Sequence, residues 1–275
     1  MTSIPEAPPV GEGDCAVVTG AGNGIGAAVA VALARRGMRV VVADLDSAGV
    51  VRTVESITAA GGVAVGAPGD AASAEGVAAL IARATSSFGR ISLWFGNAGI
   101  IGGAGLETPD DEWARALDVN VMAHVRAARI LIPEWLESGG GRFVVTASAA
   151  GLLTMLGAPS YSVSKHGAVA FAEWLGATYR HRGIVVQAVC PQWVRTDLID
   201  DVPDSLLSTA AVLTPERVAE IVVEKLDGDE FLILPHPEVA KYYAARATDT
   251  DRWLAGMNAL QQHTEVGDET GVGDE

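Results

Sequence analysis

The chain has 275 residues, of which 49% are hydrophobic and 19% charged, and it carries a formal net charge of −15. That size and apolar share suit one large α/β domain or two small ones with a sizeable buried core. Such an excess of negative charge repels nucleic acid and anionic membrane surfaces, and neither is expected as a partner.

Two cysteines, Cys15 and Cys190, sit in short apolar runs. No disulfide framework is expected, and no metal site, because no Cys/His cluster has ligand spacing. The opening MTSIPEAPPV lacks a basic n-region and a long apolar run, so it does not read as a signal peptide. No apolar stretch reaches the ~18 residues of a spanning helix. A soluble, cytoplasmic protein is the expectation.

Residues 1–13 read as a flexible tail. Asp14–Thr19 (DCAVVT) is a buried strand that runs into GAGNGIG and then a small-residue helix ending at Gly37. Strand, glycine loop and helix together form a dinucleotide-binding arrangement. Glycines at 20, 24 and 26 let the backbone approach a pyrophosphate, and the helix N-terminus offers free N–H groups. The spacing Gly20-x-x-x-Gly24-x-Gly26 is not the GxGxxG form, although Gly22-x-Gly24-x-x-Ala27 meets a looser variant. A tight turn alone would also need glycines. The second strand, Arg39–Ala43, ends at Asp44, an acid placed to accept from ribose hydroxyls and to repel the extra phosphate of NADP. Neither Leu45 nor Asn23 is a cation that could pair with that phosphate, so NAD is favoured.

A helix over about 47–60 and a strand Val63–Ala67 follow, with Asp70 just beyond the strand end, where an adenine edge could be met. After a helix over 73–88, Ile91–Gly96 is a strong strand closing into Asn97-Ala98-Gly99, which could equally be a plain turn. Thr108-Pro109-Asp110-Asp111 has the form of a helix start with a Thr cap. Asn120 lies in the apolar middle of that helix, where it holds either a bend or a water.

Gly141–Thr146 is a fifth strand, with Ser148 just past its end. The stretch TASAAGLLTMLGAPSYSVSK then places Tyr161 and Lys165 four apart, on one helix face. A free phenol titrates near ~10, and a close cation pulls it down, which makes a general acid/base. Tyr and Lys at this spacing also occur on ordinary solvated helices. Ile184–Val189 is a sixth strand; 191–213 has the makings of a mobile lid, with Trp193, Leu206 and Leu207; and Phe231–Leu234 is a seventh strand. Pro237–Gln262 is mostly helical and aromatic, and 263–275 reads as an acidic disordered tail.

Alternating strands and helices imply a single Rossmann-like domain over 14–262, a doubly wound parallel sheet of about seven strands with helices on both faces. Ligands bind such sheets at the carboxyl ends of strands. Gly20, Asp44, Asp70, Asn97, Ser148 and Pro191 all fall there.

TGAGNGIG (19–26), Asp44, Asp70, NAG (97–99), Asn120, Ser148, YSVSK (161–165) and PQWVRT (191–196) occur in the order and at the spacings of the short-chain dehydrogenase/reductase family, which the chain resembles over roughly 14–234. The resemblance implies an NAD-dependent oxidoreductase acting on a secondary alcohol or ketone. Tyr161 would then exchange the proton, and Lys165 would lower its pKa and hold the nicotinamide ribose. Ser148 would bond the substrate oxygen, and Asn120 would hold a water linking Lys165 to solvent. Asn23 and Ile25 would line the pyrophosphate loop, Asp70 would meet adenine, and Asn97 would flank the adenosine. Val194 and Thr196 would contact the carboxamide. The family also implies a homotetramer or homodimer.

Gln192 and Gly96 depart from the family pattern, where glycine and asparagine are usual. Apolar segments Ile100-Ile101, Leu152–Leu156 and Trp193–Leu207 point to a moderately hydrophobic small-molecule substrate, with Arg195 the one nearby charge. Two other readings stay open: an NADPH-preferring reductase, and a non-catalytic NAD-binding sensor or scaffold.

Overall fold

Seven short runs of apolar residues become the seven strands of one parallel sheet, in the order β3-β2-β1-β4-β5-β6-β7. They are β1 (Cys15–Thr19), β2 (Arg39–Asp44), β3 (Val63–Pro68), β4 (Ile91–Gly96), β5 (Gly141–Thr146), β6 (Ile184–Val189) and β7 (Leu232–Ile233). The computed structural model describes residues 10–199 and 211–270. The sheet order confirms the single Rossmann-like architecture.

Side chains alternate across each strand, so each strand feeds two cores. Cys15 and Val17 join Trp94, Phe143 and Val186 on one face, under helices α3 (Ala74–Phe88), α5 (Ala123–Ser138) and α6 (Pro159–Tyr179). Ala16 and Val18 join Leu93, Phe95 and Val144 on the other, under α1 (Gly24–Arg35), α2 (Ser47–Ala59) and α7 (Pro215–Lys225). Burial on both faces is why the central strands read as mostly apolar runs. The sheet order reverses direction between β1 and β4, which opens a crevice at the strands' carboxyl ends.

Several boundaries differ from the sequence reading. Val10 is 2% exposed and packs in the α1 core, so the tail of 1–13 is anchored at least from there. Residues 1–9 lie outside the described residues, as do 200–210 of the lid segment with Leu206 and Leu207. Thr108 does not cap α4 (Asp110–Leu117): its hydroxyl donates to the Gly105 carbonyl instead, at 2.9 Å, and Pro109 occupies the cap. At the far end, α8 (Glu238–Thr248) is followed by α9 (Thr250–Thr270), which runs past the expected start of a disordered tail at 263. Among the described residues no helix is long and apolar enough to cross a membrane, and no group of three or more metal-ligating side chains exists.

The helix that carries Asn120 is interrupted by a π turn over Asp118–Met122, between α4 and α5. One turn beyond Asn120, His124 is buried, and burial followed by the charge of Lys165 pushes its pKa down to about 3, so the ring stays neutral. Its Nε2 and the Trp94 Nε1 have no hydrogen-bond partner among the described residues. The ring occupies the space above Gly96, where a Cβ would stand 2.6 Å from Nδ1.

Candidate active site

The glycine loop fits a pyrophosphate for reasons of bare geometry. Gly20 and Gly24 have φ of +62° and +53°, a region that favours glycine. A Cβ on Gly26 would lie 2.1 Å from the Gly20 carbonyl oxygen, so the loop closes on its own helix only without one. Asn23, the N-cap of α1, makes no side-chain cap, and the first turn holds no acid. The leading N–H groups are therefore left for an anion. Asp44 Oδ2 accepts from the Gly22 N–H at 2.8 Å and Oδ1 from Asp46 N–H at 2.9 Å, which fixes the carboxylate beside the loop.

Thr19 has a part that its place in a buried strand did not reveal. Its hydroxyl accepts from the N–H groups of Asn97 and Ala98 at 2.9 and 3.1 Å, joining the ends of β1 and β4 at the crevice. Asn97 Nδ2 in turn donates to the Gly20 carbonyl at 3.1 Å, so the NAG turn braces the glycine loop. Asp70 accepts from Ala72 and Ser73 N–H groups ahead of α3, and the Ala72 bond holds its carboxyl below the usual carboxylate range.

Asn120 lies in the π turn with its side chain fully used. Its Oδ1 accepts from Ile100 N–H at 2.9 Å, while Nδ2 donates to the Ile100 carbonyl at 2.8 Å and to Ser164 Oγ at 2.9 Å. The side chain thus ties the segment after β4 to α6. A Cβ on Gly99 would sit 3.1 Å from Asn120 Oδ1 and 3.2 Å from Lys165 Nζ, so glycine keeps that meeting place open.

Lys165 is 3% exposed and donates to the Thr146 carbonyl at 2.9 Å. Burial pushes its pKa down to about 8. Its Nζ stands 5.6 Å from the Tyr161 ring centroid. The expectation that lysine pulls the phenol down is not what dominates here. Burial raises the Tyr161 pKa; the hydrogen bond from Ser148 lowers it, and Cys190 raises it. Both groups sit in the same desolvated place, and desolvation disfavours the charged form of each. Ser148 also accepts from Ala150 N–H at 3.1 Å.

One cleft of about 470 Å³ is lined by Gly20, Asn23, Gly24, Ile25, Asp44, Asp70, Asn97, Gly99, Ser148, Tyr161, Lys165, Pro191, Val194 and Thr196. Of the residues singled out from the sequence, Gly26 and Asn120 lie behind this surface and shape it. The segment after β6 reaches across: Asn23 Nδ2 donates to Asp197 Oδ2 at 3.1 Å, and a Cβ on Gly24 would stand 3.0 Å from Thr196 Cγ2. Arg195 is exposed and lines no part of the cleft; besides Lys165, the cation in its wall is Arg115 of α4. Nothing in the spacing of Arg115 marked it, since α4 carries charges throughout its exposed face.

A second cavity of about 260 Å³ adjoins the cleft and shares Ser148, Met155, Gln192 and Trp193 with it. Its far wall is Tyr242, Trp253, Met257 and Leu260 of α8 and α9. Sequence reasoning left these aromatics without a place. Trp253, Met257 and Leu260 do recur at helical spacing, the signal of one buried face.

The family model described as short chain dehydrogenase matches residues 14–206. Cyclohexanol dehydrogenase of Acinetobacter sp. (strain SE19) is 34% identical over 220 residues, covering 78% of this chain and 88% of its own length. A 1-deoxy-11-beta-hydroxypentalenate dehydrogenase of Streptomyces avermitilis is 32% identical over 245 residues, 87% of this chain and 91% of the relative. A crystal structure of a short chain dehydrogenase/reductase from Burkholderia phymatum, in complex with NAD, superposes with a TM-score of 0.79 at 31% identity, covering 87% of this chain and 95% of that one. The glycine loop, the parallel sheet and the crevice at its switch point therefore have a family, and the chain belongs to the short-chain dehydrogenase/reductase oxidoreductases.

Proposed function

We propose that the chain is an NAD-dependent oxidoreductase that interconverts a secondary alcohol and a ketone, with Tyr161 as general acid/base. The observation that carries this reading is the convergence of Ser148, Tyr161 and Lys165, all buried, at the rim of the glycine-loop cleft. The bound dinucleotide supplies the hydride acceptor or donor. The chain's own groups do the rest. Tyr161 gives or takes the proton at its phenolic oxygen, and Ser148 hydrogen-bonds the substrate oxygen. Lys165 holds the nicotinamide ribose, and a water beside Asn120 links its ammonium to solvent. Gly20, Asn23, Gly24, Ile25 and Gly26 take the pyrophosphate. Asp44 takes the adenosine ribose, while Asp70, Asn97 and Gly99 border the adenosine half. Pro191, Val194 and Thr196 meet the carboxamide.

The match to an NAD-bound relative supports this cofactor, and a relative named for cyclohexanol supports an apolar alcohol as substrate. Asp44 is the group that sets NAD over NADP, because its carboxylate repels a phosphate on the ribose. Replacing Asp44 with Ala and Leu45 with Arg removes that repulsion and adds a charged donor. The double variant should shift the ratio of kcat/KM for NAD over NADP by about a hundredfold toward NADP. Steady-state kinetics with a common alcohol tests this, and a wild type that already prefers NADPH would overturn the reading of Asp44.

We also infer a homo-oligomer formed through α6. Trp174 is 56% exposed and Val163 50% exposed on that helix. The Trp174 ring stacks on Phe171 at 6.3 Å and meets Tyr179 edge-on at 6.1 Å, so the exposed indole is held by two half-buried rings. A second copy of the same face would cover it. Sedimentation equilibrium should give a dimer or tetramer for wild type and a smaller species for Trp174→Asp; a monomeric wild type would end the inference.

A further inference from the structure

The cavity beside Ser148 is walled on its far side by the chain's own C-terminal helices, which are tied to the body of the domain. Arg246 of α8 donates to the Leu152 carbonyl and, at 2.9 Å, to His166 Nε2 on α6. His166 Nδ1 donates to the Ser162 carbonyl at 2.8 Å, which leaves Nε2 as the acceptor that the guanidinium needs. Met155 N–H donates to Ser162 Oγ at 2.9 Å, and that hydroxyl returns a bond to the Met155 carbonyl at 3.2 Å. Between these two anchors Thr154 holds a φ of +95°, the one positive φ outside glycine among the described residues. A β-branched residue there is strained, and such strain persists only where the surroundings over-determine it. Opposite, the Tyr242 and Trp253 rings lie 6.4 Å apart and bind α8 to α9. Trp253 also packs against the main core.

We propose that this cavity is the subsite for the apolar body of the substrate, and that α8 and α9 set the size of what fits. The proposal rests on the oxidoreductase reading of the adjoining cleft and names its substrate class: a neutral alicyclic or aromatic ring system bearing the reacting secondary alcohol or ketone. Three features carry it. The cavity opens onto the cleft at Ser148, so a molecule with its oxygen there extends its body under Trp253. Among the described residues its lining holds no charged side chain. Its volume of about 260 Å³ lies just under the ~300–1,000 Å³ of pockets for drug-sized ligands, which fits one ring or two fused rings.

Met257 lies half-buried in the far wall, one turn on from Trp253, and a larger side chain there occupies the cavity without touching the cofactor cleft. The test is calorimetric titration of 2-decalone into protein saturated with NADH. It is run in the Tyr161→Phe background so that the ternary complex does not turn over. The expected result is measurable binding of 2-decalone, weakened about ten- to a hundredfold by Met257→Trp and by Trp253→Ala. NADH affinity should stay the same in both, which also reports that each variant has folded. Undetectable binding of 2-decalone, or equal affinity in the parent and Met257→Trp, overturns the subsite. If only one variant keeps its NADH affinity, that variant decides. Propan-2-ol oxidation by the Tyr161 protein separates the two readings. Turnover without ring binding sinks the subsite alone; ring binding of the expected pattern with no hydride transfer from any alcohol leaves the subsite and sinks the oxidoreductase.

Discussion

Tyr161→Phe should lower kcat by about 10²- to 10⁴-fold and leave the NADH dissociation constant within about twofold of wild type. The substitution deletes one oxygen from a ring that is 7% exposed and keeps the ring's packing against Ala150 and Ala158. Lys165 keeps its bond to the Thr146 carbonyl, so the ammonium stays where it is. What disappears is the one O–H that Ser148 and the substrate oxygen share. A proton relay lost in this way lowers kcat and kcat/KM together, because the interaction belongs to the transition state. Stopped-flow and steady-state assays on wild type and variant, with a fluorescence titration of NADH, measure both halves. Full turnover in the variant would remove Tyr161 from the mechanism, and lost NADH binding would recast it as a cofactor anchor.

Gly26→Ala should destabilise the protein by about 3 kcal/mol, a fall in Tm of about 6–12 °C for a domain of this size, and weaken NADH by at least about a hundredfold. The new Cβ would lie 2.1 Å from the Gly20 carbonyl oxygen and 2.6 Å from Asn97 Nδ2. Neither neighbour is the free end of a flexible side chain. The carbonyl belongs to the loop backbone, and the amide is already committed to that carbonyl. The loop can accommodate the methyl group only by lifting off α1, which moves the N–H groups that would face a pyrophosphate. Gly11 is the control: a Cβ there meets nothing within 4 Å, and Gly11→Ala should shift Tm by less than about 2 °C. Thermal unfolding with and without NADH checks both, and a Gly26→Ala protein of wild-type Tm and affinity would refute the account of the loop.

The sheet was legible because its central strands are covered on both faces and so appear as mostly apolar runs between glycines and polar turns. The rim of the cleft was legible for a related reason: Gly20, Asp44, Asn97 and Ser148 each follow directly on such a run, and strand ends are where ligands gather. What the sequence concealed depends on contacts between distant segments. Val10, outside every strand and helix, is buried in the same core as residues of α1 and α7. Thr108 has the look of a cap, yet its hydroxyl finds the Gly105 carbonyl first. The raised pKa of Tyr161 follows from how deeply the start of α6 is buried beside Ala150 and Ala158, which a four-residue spacing does not reveal. The wall over the second cavity needed Arg246 to meet Leu152, ninety-four positions away.

Gly96 and His124 compete for one volume. The imidazole fills the volume that any side chain at position 96 would occupy, with Nδ1 2.6 Å and Cε1 2.8 Å from the would-be Cβ. A lineage that passes from a larger residue at 96 to this pair must lose that side chain before, or together with, the arrival of the imidazole. The return path is closed in the same way: no residue but glycine is open at 96 until position 124 has shrunk. Relatives that carry a side chain at 96 are therefore expected to carry something smaller than histidine at 124.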